Sequence, residues 1–447
     1  MTQSPPRAQR RKVGLELEFP VVRWATGRGL DRSSVQALWE AFAERDASWS
    51  FARESIVPAV TGLRRRLGDF NEHVDTDAGV CTVEISLAPQ ETVDQAVESA
   101  RSVMSDLQSL LWANGYTLLS AGIQPITWFD PRRRTRRDWY FLLARRLHFH
   151  HWFIPVASHQ MSINVSPCEA VRAVNMLCGL SGVFAALTAS SPIACGTVQP
   201  WKETRNWIWH NRLTRVPEGE AEYSSNGIPT RPFKDLGDYI DYSWNSNLYL
   251  LADMKSQGYE VLGRRSFREF VLAGAPVPVR RWDGKRLELI PRLEILDRIH
   301  QYGWLAGKLH YHFGSRTSLE QVRRALIRGE IGAFCEENLA GCYLENRTCG
   351  VAPSGEEGAT AALTLGFIEM LDDVELLIQA RRWSAGEACG CRQAKEASSL
   401  AAPGRCRSFA VCSSWRTQAF KRAGRGRRSI SIRCLIGSIP GRCLRTR

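Results

Sequence analysis

Acidic residues interrupt strand-like apolar runs at three places in this sequence, and a histidine interrupts a fourth. In Gly14-Leu-Glu16-Leu-Glu18-Phe19 two glutamates stand two residues apart. At strand spacing both side chains emerge on one side, about 7 Å apart by twice the strand rise. A like-charged pair there is unfavourable unless a cation or solvent lies between the two. In Asp77-Ala-Gly-Val-Cys-Thr-Val-Glu84-Ile-Ser-Leu-Ala-Pro-Gln90, Glu84 sits inside an apolar strand and Asp77 enters the same segment. In Ser158-His159-Gln160-Met161-Ser162-Ile163-Asn164-Val165, His159, Met161 and Ile163 share one face, and Gln160, Ser162 and Asn164 share the other. In Cys342-Tyr-Leu-Glu345-Asn346-Arg347-Thr348, an acid and a base share a face. Taken singly, each has a plain structural reading: an exposed sheet face, an edge strand, a core histidine, a cross-strand salt bridge.

Together they describe one chemistry. Several carboxylates with an occasional imidazole suit Mg²⁺ or Mn²⁺ rather than a closed zinc site. Carboxylates that clamp hard cations, with an arginine beside them, are what phosphoryl transfer from ATP requires. No Walker A sequence or kinase glycine loop occurs, so the expected nucleotide site is a sheet platform.

The elements that must position these residues follow from hydrophobic periodicity. Alternation predicts a strand over Lys12–Val22, and further strands near Arg64–Phe70, Val80–Ala88, Thr117–Gly122 and Val156–Val165. Helical spacing covers Ser34–Ala47, Thr92–Asn114, Asp138–Leu147 and Glu169–Ala189. Tyr239–Asn245 reads as irregular. Leu287–Leu296, Leu319–Arg328 and Gly341–Thr348 read as strand, helix and strand, and Gly355–Gln379 as one amphipathic helix. Strands separated by helices of irregular length predict an α+β fold with one mixed or antiparallel sheet.

The 447 residues are 44% hydrophobic and 23% charged, which excludes a disordered polymer and a polytopic membrane protein. Leu177–Ala194 is apolar but rich in small residues, and reads as a buried helix. The polar, basic start gives no secretory signal, so the expected compartment is the cytoplasm, with reduced thiols. Most of the +13 net charge lies beyond residue 384, where 14 Lys and Arg face only Glu387 and Glu396. Six of the 13 cysteines lie there too, and none forms a zinc-type pair. The expected organisation is a disordered basic N-terminus over 1–11, a catalytic domain over 12–384, and a disordered basic tail over 385–447. The tail is either a nucleic-acid or anionic-lipid binder, a translation product outside the ancestral frame, or a plain extension.

The order of these motifs carries a resemblance. Gly14-Leu-Glu16-Leu-Glu18-Phe19, Asp77 to Glu84, the His159 strand, the Ala186-to-Pro192 turn, Glu203-Thr-Arg205-Asn-Trp207-Ile-Trp209, Pro232-Phe233 leading to Asp238-Tyr239, and Leu344-Glu345-Asn-Arg347 follow one another. This resembles the glutamate–cysteine ligase family, within the carboxylate–amine ligases that share a glutamine synthetase-like catalytic sheet. The resemblance spans Lys12 to Gln379. It implies a mainly antiparallel sheet platform with flanking helices. It also implies an ATP-dependent ligase that phosphorylates a carboxylate and lets an amine attack the acyl phosphate. Glutamate plus cysteine, as in glutathione biosynthesis, is the best single substrate pair. Another amino acid or amine, or a silent relative that binds nucleic acid through its tail, are the alternatives. By motif, Glu16, Glu18, Asp77, Glu84, His159 and Glu345 are the implied metal set. Arg205 and Arg347 are the implied catalytic contacts to substrate carboxylate or phosphate, and Arg347 and Asn164 the implied contacts to ATP. The sequence departs from the pattern where Gln160 and Ser162 follow His159, and in its Trp-rich segment Trp201, Trp207, Trp209. Membrane partners are not expected.

Overall fold

The computed structural model describes residues 11–53, 60–146, 150–209, 227–229, 231–248, 250–252, 258–263, 265–293 and 305–380. The expected tail and most of the expected N-terminal arm lie outside these residues.

A nine-stranded sheet dominates. Its strands are β1 (Val13–Arg23), β2 (Ser50–Arg53), β3 (Val60–Leu67), β4 (Phe70–Thr76), β5 (Thr82–Ser86), β6 (Tyr116–Leu118), β7 (His159–Val165), β14 (Gly307–Phe313) and β15 (Leu339–Asn346). They are ordered β14-β15-β7-β1-β5-β4-β3-β2, with β6 pairing the far end of β1. Every pair is antiparallel. Two smaller sheets stand apart from it. One pairs β8 (Ile193–Ala194) with β9 (Thr197–Val198). The other joins β10 (Leu250–Ala252), β11 (Gly258–Val261), β12 (Val277–Arg281) and β13 (Arg286–Leu289).

The period-two alternation gives the large sheet two unlike faces. Val13, Leu15, Leu17 and Phe19 of β1 point to one, with Val74, Val83, Ile85, Ile163 and Leu344 beside them, all buried. Helices cover this apolar face. Arg32–Arg45 lies over β3, Val93–Ala113 over β1 and β6, Ala359–Ile368 over β7, and Pro167–Leu187 over β14 and β15. Burying Leu17 completely contributes about 2 kcal/mol. The acids project from the opposite face.

Local chemistry explains the helix starts. Thr92 accepts from the Gln95 N–H, and Ser166 with Glu169 forms a reciprocal capping box. Pro167–Leu187 is the one helix among the described residues long and apolar enough to cross a membrane. Here it packs on the sheet as a core helix.

Four expectations needed correction. The strand placed over Arg64–Phe70 is two strands: Gly68, at φ +59°, turns the chain between β3 and β4. Tyr239–Trp244, expected to be irregular together with Asn245, belongs to the helix Leu236–Trp244, because Asp235 accepts from the Asp238 N–H at 2.9 Å and starts the helix, which Asn245 caps. The long last helix is two, Ala359–Ile368 and Leu371–Ala380. The second begins with Asp372 and Asp373 in its first turn, where acids favour a new N-terminus. Of the strand expected over Leu287–Leu296, β13 ends at Leu289, and residues 294–296 are outside the described set.

Candidate active site

Register builds the site. Glu18 on β1 stands opposite Glu84 on β5, and Glu84 opposite Asp75 on β4. Three acids from three adjacent strands therefore form one row across the sheet. In the next row Glu16 stands opposite Ser86 on one side and Gln160 on the other, and His73 stands opposite Ser86. The ligand atoms of Glu16, Glu18 and Glu84 lie within 4.8 Å of one another, and so do those of His73, Asp75 and Glu84. Glu84 belongs to both groups. Glycine at position 62, opposite Asp75, is required by this packing, since a Cβ there would lie 2.1 Å from the Asp75 Cβ.

Burial makes this arrangement electrostatically demanding. Burial, with Glu84, Glu345 and Glu18 nearby, pushes the Glu16 carboxyl well above its usual range. Burial and Asp77 push Glu18 up to about 8, against Arg205 and a hydrogen bond from Ser158. Burial, Asp75 and Asp77 raise Glu84 likewise. Gln160 partly offsets the repulsion: its Nε2 donates to Glu16 at 3.0 Å and to Glu18 at 2.9 Å. Ser158 Oγ donates to Glu18 at 3.1 Å. His73 Nε2 lies 3.1 Å from Glu84. Asp75 Oδ1 and Gln160 Oε1 are buried without a hydrogen-bond partner. Hard oxygen donors, one imidazole, mutual repulsion and orphaned oxygens fit divalent cations of the Mg²⁺ or Mn²⁺ type.

A basic arm borders the acids. Arg347 follows β15, and its Nη1 donates to Glu345 Oε1. His310 Nε2 lies 2.6 Å from the other oxygen of Glu345 and stacks on Tyr343 at 4.6 Å. Burial alone would raise Glu345, yet Arg347, His310 and Lys308 hold it below the usual carboxylate range. Burial pulls Lys308, opposite Glu345, down to about 8. Arg205 is buried in the short helix Thr204–Ile208, and its Nη1 donates to the Arg347 carbonyl at 3.2 Å. The two guanidiniums stand 5.5 and 5.8 Å from the Trp209 ring.

The residues anticipated from sequence divide clearly. Glu16, Glu18 and Glu84 converge. Asp77, whose Oδ1 accepts from the Tyr140 hydroxyl at 2.6 Å, acts electrostatically on both Glu18 and Glu84. Glu345, Arg347 and Arg205 form the adjacent basic arm. Two residues stand apart. His159 points to the apolar face: it lies opposite Leu17, packs edge-on against Phe19 at 4.9 Å, and accepts from the Ala352 N–H through Nδ1. Burial holds it neutral, pulled down to about 3. It is a core histidine, and its neighbour Gln160 reaches the acids instead. Asn164 shares the acidic face but is exposed, opposite Tyr343 and beyond Gly14. His73, Asp75, Lys308 and His310 were not anticipated. The first two signal themselves as polar residues alternating with Val74 in a strand, and the last two in Gly307-Lys-Leu-His-Tyr-His-Phe313 do the same with Leu309.

Residues 12–243 match the family model of glutamate–cysteine ligase family 2. No curated protein matches the sequence. A solved bifunctional glutathione synthetase from Pasteurella multocida aligns at 10% identity and TM-score 0.41, over 96% of this chain and 46% of that one. A solved glutamate–cysteine ligase from Francisella tularensis, in complex with AMP, aligns at 13% identity and TM-score 0.41, over 88% of this chain and 71% of that one. The chain thus spans less than half the length of the first of these proteins.

Proposed function

Since the chain belongs to glutamate–cysteine ligase family 2, we propose that it is an ATP-dependent carboxylate–amine ligase. The observation that carries this reading is a buried acidic row and a buried basic arm on one face of one antiparallel sheet. Glu16, Glu18 and Glu84 would hold one Mg²⁺, and His73, Asp75 and Glu84 a second. When bound, these cations supply charge neutralisation for the nucleotide phosphates.

The chain's own residues do the rest. Gln160 orients Glu16 and Glu18 together, so the two carboxylates meet a cation as one unit. Arg347, fixed by Glu345, faces charge that develops on the transferred phosphoryl group. Arg205 takes the carboxylate substrate and holds it in line for transfer. The γ-phosphoryl group passes from ATP to the carboxylate oxygen and ADP leaves. The amine nitrogen then attacks the acyl carbon, phosphate departs and an amide forms. Glutamate plus cysteine is the proposed substrate pair, and a cytoplasmic location is proposed with it.

The test is ADP release with Mg²⁺, ATP and glutamate, scanned over cysteine and a panel of amino acids and amines, with the product read by mass spectrometry. Amine-dependent ADP and a product lighter by one water than its two substrates support the reading. An amide made from another amine replaces cysteine only. Absence of ADP formation across carboxylates and amines, in folded protein, overturns it.

A further inference from the structure

Neither arginine of the basic arm is positioned by its ion pairs alone. Three segments interlock behind them. The turn Thr188–Ser191 ends the core helix, Glu203–Asn206 starts the short helix that carries Arg205, and Arg347–Val351 leaves β15. Glu203 is 3% exposed, and its Oε2 accepts from the Ser190 N–H at 2.8 Å. Ser191 bridges to Glu203 through backbone pairing, and its Oγ accepts from the Arg205 N–H at 3.2 Å. Ser190 Oγ accepts from the Val351 N–H at 2.9 Å, and Thr188 Oγ1 from the Gly350 N–H at 2.8 Å. Asn206 Nδ2 donates to the Thr348 carbonyl at 3.0 Å. Gly350 is what permits this approach. A Cβ there would meet the Thr188 carbonyl oxygen at 2.2 Å, Ser190 Oγ at 2.7 Å and Glu203 Oε2 at 3.1 Å. Glu203 thus touches the turn, lies against Gly350 and adjoins Arg205.

We propose that Glu203 is a positioning residue: through the Ser190–Ser191 turn it fixes the aim of the Arg205 guanidinium. The proposal rests on the ligase reading for its functional consequence, but its geometric content is independent of it. A buried carboxylate beside an arginine invites a simple ion-pair role, yet no hydrogen bond joins the two side chains among those described. Its Oε2 is committed to the turn, so beside the charge interaction of the two side chains its influence on Arg205 passes through the backbone it holds.

The test compares Glu203→Gln, Glu203→Ala and Glu203→Asp in the full chain, each alone and with Arg205→Ala. Glu203→Ala is expected to raise KM for the carboxylate substrate on the order of tenfold to a hundredfold, the scale of a misplacement near 1 Å. KM for ATP is expected to stay within about twofold of its original value. Glu203→Gln keeps an acceptor for the Ser190 N–H and is expected to restore most of the loss. Glu203→Asp is too short to reach and is expected to behave like alanine. In the Arg205→Ala background, Glu203→Ala is expected to add nothing. A uniform fall in kcat with both KM values unchanged, or losses that multiply in the double variant, would overturn the proposal. If Glu203→Ala does not fold, the Gln and Asp variants decide it by the same criteria. If the unaltered protein forms no ADP, the ligase reading fails by itself. The positioning claim is then decided by a crystal structure of Glu203→Asp: loss of the Arg205–Arg347 carbonyl hydrogen bond supports it, and its retention overturns it.

Discussion

Loading the acidic row with Mg²⁺ must expel protons. Glu18 stands at about 8 because burial and Asp77 disfavour its charge. Near pH 7 it is about 0.9 protonated, so a cation that requires it ionised releases about 0.9 proton from this group alone. Glu16 and Glu84 are raised in the same direction, which places the total between about one and three. Each released proton makes apparent affinity fall about tenfold per pH unit on the acid side. The sign for stability is opposite without metal. Glu18 titrates at about 8 in the folded chain against 4.5 as its ordinary value. Its contribution is therefore fully present below 4.5 and lost as pH rises through about 8. In EDTA the melting temperature is expected to fall between pH 6 and pH 9, and excess Mg²⁺ is expected to reverse that trend. Titration calorimetry in two buffers of different ionisation enthalpy, such as Tris and HEPES, counts the protons directly. The same titration on Glu18→Gln should lose about one of them. Heats independent of buffer, or a metal-free melting temperature that rises with pH, would refute the electrostatic account.

Other outcomes follow from the same geometry. Glu84→Gln removes the ligand shared by both candidate cation groups, so Mg²⁺-dependent ADP formation should fall by a hundredfold or more, roughly the loss of one strong charge contact. Its melting temperature in EDTA at pH 8 should rise, and an unchanged rate would sink the shared-ligand role. Gly62→Ala forces a Cβ into Asp75 and should cost about 1–3 kcal/mol in urea unfolding, whereas Gly263→Ala, with open space around it, carries only the strain of its positive φ. A chain ended at Ala380 should keep the activity of the full chain. One ended at Met370 removes the Asp372 and Glu375 partners of Arg172, and should lose at least 3 kcal/mol together with the buried Val374 and Leu371.

The sheet was largely legible before the structure because its period-two pattern is strong. Val13, Leu15, Leu17 and Phe19 alternate without error, and each acid found on that basis lies on the opposite face. His159 failed for an informative reason. The alternation placed it with Met161 and Ile163, and that face is the core; the motif resemblance suggested a ligand, and the parity of the strand decided against it. The basic arm was half visible. Glu345 and Arg347 stand out in an apolar strand, but Lys308 and His310 lie, with His312, on an edge strand whose three polar residues resemble a solvated surface. Which strands lie adjacent was not legible at all, because register joins β15 to β7 and β7 to β1 across long stretches of chain. The positions of Gly62 and Gly350 become meaningful only once Asp75 and the Thr188–Ser191 turn are known to approach them.

The same long-range register has a consequence for how the chain is made. Glu18 and Gln160 are 142 residues apart, and Cys342 and Val165 are 177 apart. At about 5–20 residues per second of synthesis, β1 waits roughly 7 to 30 s for β7 to be made. During that interval a β-prone run, Val13 to Val22, has one long edge unpaired and is a template for association between nascent chains. Glu16 and Glu18 interrupt that run every second residue with a charge that is still solvated and ionised. The pair that burdens the finished metal-free fold therefore protects the unfinished one, and neutral substitutions that raise the melting temperature in EDTA should lower the soluble yield on expression.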